Sequence, residues 1–404
     1  MFLSERSKYA ENPLEEDNYI ADNLDKKGRH VIRLNRGDPA VYFPTPDYIK
    51  DAYVNAIKDG KTHYTEPIGA LELREAIANR YKRMFNLKVD AESITITQGV
   101  SEALYILNAA LVNKNDHAIV FAPYYTQYMP YIKLAGGKPY ILDYKENDGW
   151  SIDTDELEKH IRALKKKRSI RYMLLTNPNN PTGTVLDKKV LKEVVGIANE
   201  HDLLLVSDEI YDEIVYNGAK FTSIAQLAKG MPYVILNGAS KAYDATGFRI
   251  GYMLTPENDE KSEALKRKFA QFAAVRVSAN TPAEYAIAEG INNVKEHNKA
   301  LKNMVKQIES RVNLSTKLLN ENEFLETVRP NGAYYILPRV NLKALDISTD
   351  KEFTDKFLEE EYVQLSRGSG FGAKSHVRIV ALPPKEILEA AITRLNDFCK
   401  KHAK

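Results

Sequence analysis

The sequence predicts an α/β protein, with a large domain built on a mostly parallel sheet covered by helices and a smaller α+β domain after it. Two observations carry this. Through the middle of the 404-residue chain, short β-rich runs alternate with longer helix-patterned ones, the order that generates crossover connections and a parallel sheet. After Asn280-Thr281-Pro282 the texture changes to long charged helices around short strand candidates.

The elements follow in order. Segment 93–97 (SITIT) reads as a strand, 100–113 as a helix apolar on one face, and 118–122 (AIVFA) as the next strand. Further strands are expected at 140–144, 172–176, 203–207 and 233–236. Segment 188–199 places Val190, Leu191, Val194, Val195 and Ile197 at a spacing that suits a helix packed on a sheet. Later, helices are expected over 292–320 and 385–401, and strands over 333–337, 363–365 and 376–381. The chain therefore divides into an N-terminal arm, 1–44, packing with the small domain; a large domain, 45–285; and a small domain, 286–404.

Composition narrows the function classes. At 44% hydrophobic and 28% charged residues the chain can bury a sizeable core. Its 57 basic and 55 acidic side chains leave +2, and basic runs such as Lys165-Lys166-Lys167-Arg168 are short, which suits a solvated face and gives nucleic-acid binding no support. One cysteine, Cys399, permits neither an intramolecular disulfide nor a thiolate metal cluster, and points to reducing cytoplasm. The first residues are charged almost from the start, unlike a signal peptide, and no apolar run approaches the ~20 residues that span a bilayer. The eight histidines are dispersed without a paired ligand motif, so no metal is expected.

In a parallel α/β sheet, ligands sit beyond the carboxyl ends of the strands, so the residues just after each strand carry the functional signal. Gln98-Gly99-Val100-Ser101-Glu102 turns into a helix whose free N–H groups favour an anion, although a plain Ser101 cap is the simpler reading. Pro123-Tyr124-Tyr125-Thr126-Gln127-Tyr128 offers aromatic faces for a planar ligand, or core filling. Asn177-Pro178-Asn179-Asn180-Pro181-Thr182-Gly183 is a constrained loop with three amides, which turn chemistry also explains. Asp208-Glu209-Ile210-Tyr211 puts an acid at a strand end, either as a helix cap or as a carboxylate whose pKa a neighbouring cation lowers. Ser240, Lys241 and Arg249 follow another strand.

Together these pieces ask for an anion, a flat ring, a cationic ring atom and a carbonyl that an amine attacks, which pyridoxal 5′-phosphate combines. A lysine amine shielded beside other cations is nucleophilic near neutral pH, and an arginine fork suits a phosphate. Over nearly its whole length the chain resembles a class I/II aminotransferase of the fold-type-I pyridoxal-phosphate superfamily, which implies a seven-stranded sheet in the large domain. The resemblance implies that Lys241 forms the Schiff base and carries the proton between substrate α-carbon and cofactor C4′. It implies that Asp208 pairs with the pyridine nitrogen, that Asn180 and Tyr211 bond the 3-oxygen, and that Tyr125 stacks on the ring. The phosphate would be held by Val100, Ser101, Ser240 and Arg249, and by Tyr64 reaching in from the neighbouring subunit of a homodimer. Arg378 would grip the substrate carboxylate, over which the backbone of Gly37 would close, with Asn180 also at the substrate.

Two departures stand out. Gly238 replaces a serine found in many relatives, removing one phosphate hydroxyl, and Asp244 puts an acid where small or apolar residues are usual. Asn237-Gly238-Ala239-Ser240-Lys241, Ala279-Asn280-Thr281-Pro282-Ala283 and Val377-Arg378-Ile379-Val380-Ala381-Leu382-Pro383 resemble archaeal and bacterial alanine aminotransferases more than classical aspartate enzymes. Arg276 is one residue off the spacing of the aspartate enzymes' distal-carboxylate arginine, while Tyr9 lacks the following arginine of alanine-type relatives. The expected activity is transfer of an amino group, from alanine in the first instance, to 2-oxoglutarate by a ping-pong route. Aspartate, aromatic or broad donor specificity and a β-eliminating lyase are alternatives. Gly99-Val100-Ser101-Glu102-Ala103 also resembles a hydrolase nucleophile elbow, and Gly368-Ser369-Gly370-Phe371-Gly372 a nucleotide loop, but neither explains Asp208, Lys241, Arg249 and Arg378.

Overall fold

The computed structural model describes residues 2–10, 15–256 and 259–404. Its centre is a seven-stranded sheet in the order Ile94–Gln98, Ile250–Leu254, Tyr233–Gly238, Leu204–Asp208, Ile170–Thr176, His117–Ala122 and Lys138–Asp143. Ile250–Leu254 runs antiparallel to both its neighbours, and the remaining pairs are parallel. The sheet is therefore mostly parallel, and the short apolar run after Arg249 supplies its one reversed strand.

Burial on both faces explains the strand sequences. Every residue of His117–Ala122 is buried, as a strand flanked by helices on both sides requires, so the run is continuously apolar apart from its first residue. Helix Lys188–Glu200 buries Leu191, Val194, Val195 and Ala198 on one stripe, and Asp187 caps it by accepting from the Lys189 amide at 2.6 Å. Gln98, Ala122, Thr176, Asp208 and Gly238 each end a strand, and the residues just beyond them gather at one edge of the sheet.

The C-terminal part has its own core. Met304, Ile308, Val312 and Leu319 line the buried stripe of helix Val294–Asn320, packed with helix Lys385–Lys401 through Leu388, Ile392, Leu395 and Phe398. Val377–Val380 pairs antiparallel with Tyr335–Ile336 on one side and Ser366–Arg367 on the other. The third expected strand goes elsewhere: Val363–Gln364 pairs in parallel with Ile32–Arg33, tying the N-terminal segment to this core. The short turn Glu5–Tyr9 instead lies against helix Tyr128–Leu134 of the large sheet domain. The departure from the alanine-type pattern after Tyr9 falls on Ala10, Glu11 and Asn12, of which Glu11 and Asn12 lie outside the described residues.

Candidate active site

A cavity of about 370 Å³ opens at the strand ends, between the large sheet and the C-terminal core. It is lined by Gly37, Val100, Ser101, Tyr125, Asn180, Asp208, Tyr211, Ser240, Lys241, Arg249 and Arg378. All the site residues expected from the sequence meet there except Tyr64, whose side chain is 77% exposed and lies outside the cavity of its own chain.

The amine of Lys241 donates to the carbonyl oxygen of Gly37 at 2.7 Å. Its pKa is held down to about 8, first by removal from bulk water and then by the nearby Arg378 and Arg249, against the pull of Asp38 and Asp208. Asp208 lies at the other side, accepting from the Tyr128 hydroxyl at 2.7 Å and the Ile210 amide at 3.2 Å. Burial outweighs these bonds and pushes its carboxyl up to about 6 in the unliganded chain. Lowering it takes a cation in contact, which a ligand's ring nitrogen would supply.

A positive pole forms where helix Gly99–Leu111 begins. Arg249 donates to the Thr246 carbonyl at 2.9 Å and rests so closely on Gly99 that a Cβ there would come within 2.5 Å of its Nη2. Gly99 also has φ +70°, so a side chain is excluded twice. Val100 and Ser101 follow in the first turn, where amides lack helix partners. Ser240 closes the group.

Arg378 fixes the opposite end. Its Nη1 donates to Asn180 Oδ1 at 3.1 Å, and its Nη2 to the Asn35 carbonyl at 2.6 Å and Ser366 Oγ at 3.3 Å. The guanidinium lies 4.3 Å from the Phe371 ring centroid and 4.9 Å from that of Tyr335. Its Nε is buried without a hydrogen-bond partner, a donor that suits a carboxylate ligand.

Sequence reasoning missed two tyrosines. Tyr128 was visible only as one member of an aromatic cluster, yet its hydroxyl bridges Thr176 Oγ1 and Asp208, each at 2.7 Å. Tyr335, inside an expected strand, bonds Tyr211 through their hydroxyls at 2.8 Å. Its only sequence signal was a pair of tyrosines, 334 and 335, in a short strand.

The departures have structural explanations. A Cβ on Gly238 would approach Ile250 O to 2.6 Å and Gly251 Cα to 2.8 Å, so the reversed neighbour strand occupies the space of a serine side chain. Asp244 is buried and outside the cavity lining, and burial followed by the charge of Asp38 pushes its carboxyl up to about 8. A protonated acid there does not repel a phosphate. Arg276 donates to the carbonyls of Pro67 and Ile96 at 3.0 and 2.8 Å, away from this chain's cavity.

The other readings fare poorly. Ser101 sits in the first turn of helix Gly99–Leu111, and among the described residues no histidine lines the cavity to activate it. Gly368–Phe371 forms a short 3-10 turn that brings Phe371 against Arg378.

A ligand that uses every one of these groups is anionic at one end, flat and cationic in its middle and electrophilic beside the lysine. On this sheet those demands define a fold-type-I pyridoxal-phosphate enzyme, and the residues present fit that cofactor. A family profile described as "Aminotransferase class I and II" matches residues 29–395, and the chain belongs to that family. It is 35% identical over 377 residues to an aromatic-amino-acid aminotransferase of Thermococcus litoralis, covering 92% of each chain. It is 34% identical over 388 residues to an aspartate aminotransferase of Bacillus subtilis, covering 95% of each. A solved alanine aminotransferase of Pyrococcus furiosus superposes with a TM-score of 0.92 at 36% identity, covering 99% of this chain and 100% of that one. The protein is thus a pyridoxal-phosphate-dependent transaminase acting on amino and oxo acids.

Proposed function

We propose that the enzyme transfers the amino group of alanine to 2-oxoglutarate by a ping-pong mechanism, as a cytoplasmic homodimer. The observation that carries the donor reading is the set of cations in the cavity. Among the described lining residues these are Lys241, Arg249 and Arg378, and each already has a task at the cofactor or the α-carboxylate. None is left within the chain for a second carboxylate, so alanine is a donor that this chain's own cations serve unaided, whereas the distal carboxylate of 2-oxoglutarate needs neutral donors or a group of the partner subunit.

The cofactor supplies an electron sink for the charge left when the substrate α-carbon loses its proton. Asp208, held by Tyr128, keeps the ring nitrogen protonated. Lys241, with an amine of depressed basicity, would take the proton from the substrate α-carbon and deliver it to cofactor C4′, on the far side of the amino nitrogen. Arg249, Ser240 and the first-turn amides of Val100 and Ser101 anchor the phosphate. Tyr125 covers the ring face, Asn180 and Tyr211 face the 3-oxygen, and Arg378 holds the carboxylate beneath Gly37. Tyr64 of each chain completes the phosphate site of its partner. We further assign 1–44 as the arm, 45–285 as the cofactor domain and 286–404 as the small domain.

The test is a donor screen. Purified holoenzyme is mixed with 2-oxoglutarate and single amino acids, and glutamate is measured. Alanine is expected to give the highest kcat/KM; aspartate or tyrosine exceeding it tenfold would overturn the donor assignment, and ammonia with pyruvate from a β-substituted substrate would show a lyase.

A further inference from the structure

Three phenols, those of Tyr211, Tyr334 and Tyr335, pack edge to face or tilted with ring centroids 4.7 to 5.7 Å apart beside Lys241. The Tyr334 hydroxyl donates a hydrogen bond to the Gly37 carbonyl at 3.1 Å. Tyr211 and Tyr335 meet through their oxygens at 2.8 Å, and either can be the donor. One proton closes that contact, and the other is free to leave the pair. Both residues line the cavity, so a bound ligand can accept it in place of the Tyr334 oxygen packed beside them.

The direction of the bond follows from what the ligand offers. An anionic oxygen beside Tyr211 accepts a hydrogen bond from the Tyr211 hydroxyl, which leaves the Tyr211 lone pair to accept one from Tyr335. Resting on the assignment of Tyr211 to the cofactor's 3-oxygen, we propose that Tyr335 is a positioning residue. It donates to Tyr211 and so turns the Tyr211 proton toward that oxygen. Nothing in the resemblance to known aminotransferases assigns it this part.

The surroundings hold Tyr335 in place for it. Its ring lies against the Arg378 guanidinium, and its strand is paired with Val377–Val380, so the site that grips the carboxylate also sets the phenol. Gly37 leaves the room: a Cβ there would come within 2.3 Å of the Tyr335 oxygen. The glycine is therefore needed for the phenol's position as well as for closure over the substrate.

The readout is the visible absorption of the cofactor bound through Lys241, titrated with pH. A proton donated to the 3-oxygen draws charge from it and loosens the hold of the adjacent nitrogen on its own proton. Tyr335→Phe keeps the ring and its packing but ends the donation. The titration midpoint is then expected to move up by roughly half to one pH unit, about three- to tenfold in proton affinity. Tyr211→Phe moves it at least as far, and adding Tyr335→Phe to Tyr211→Phe moves it no further. Gly37→Ala, which displaces the phenol from outside, moves it in the same direction. An unmoved midpoint in Tyr335→Phe while Tyr211→Phe shifts it, or full additivity of the two, overturns the relay. Failure of Tyr211→Phe to move it, or wild-type protein without the visible band, overturns instead the cofactor assignment beneath it.

Discussion

Arg378 Nη1 donates to Asn180 Oδ1 at 3.1 Å, fastening a strand of the C-terminal core to a loop of the large sheet across the cavity. The bond orients the guanidinium, and the second one, to the Asn35 carbonyl at 2.6 Å, stops it turning. A rigid fork binds a carboxylate at little entropic cost.

Arg378→Lys keeps the charge and loses the fork. It is expected to raise KM for the amino acid roughly a hundredfold, the worth of one or two charge-assisted bonds, and Asn180→Ala roughly tenfold. Steady-state kinetics with alanine decide it; a Lys variant with unchanged KM would contradict the carboxylate role.

Lys241, held down to about 8, gains its nucleophilic form as pH rises through that value and loses it about tenfold per unit below. The rate at which cofactor-free protein captures pyridoxal phosphate should therefore climb to a plateau above about pH 8. Stopped-flow absorbance measures it, and a midpoint near an ordinary lysine's ~10.4 would show that the amine is not shielded.

Asp208 opposes stability in exchange for chemistry. Its carboxyl is pushed up to about 6 in the fold, so the folded state favours the protonated form. The cost begins above the unfolded pKa of about 4, grows until about pH 6 and stays constant beyond, at about 3 kcal/mol. Asp208→Asn protein without cofactor should accordingly be more stable than wild type at neutral pH and gain little at pH 4, while turnover falls at least a hundredfold. Denaturant melts at the two pH values check the sign.

Gly238→Ser restores the hydroxyl of many relatives but drives a Cβ into the Ile250 and Gly251 backbone. A loss of about 1–3 kcal/mol is expected, with no tighter cofactor binding. Thermal melts and cofactor titration would expose the opposite result.

Tyr64→Ala should weaken cofactor binding roughly tenfold in the dimer. Mixed with Lys241→Ala chains, it should recover activity, because a hybrid dimer contains one site with an intact lysine and an intact partner tyrosine. Absence of recovery after subunit exchange, with hybrids verified by mass, would place Tyr64 in its own chain's site.

Periodicity was enough to read the fold through the middle of the chain, because a strand buried on both faces must be apolar throughout, as 118–122 is, and its covering helix must carry a stripe, as 188–199 does. Helix Lys385–Lys401 falls on the segment expected. The strand 363–365 was legible as a strand, but its partner was not: pairing with Ile32–Arg33 joins residues more than three hundred positions apart, which no local pattern encodes.

The site divides the same way. Lysine, acid and arginine identities at strand ends were set by the sequence, since the chemistry of an imine, a pyridine nitrogen and a phosphate admits few residue types. Hydrogen bonds such as Tyr128 to Asp208, Tyr335 to Tyr211 and Asn180 to Arg378 depend on distances between separate elements, and only the tertiary structure decided them. The same holds for the pKa of Asp208: the residue is written in the chain, but whether its charge is favoured depends on how much water the fold removes, and here burial prevails.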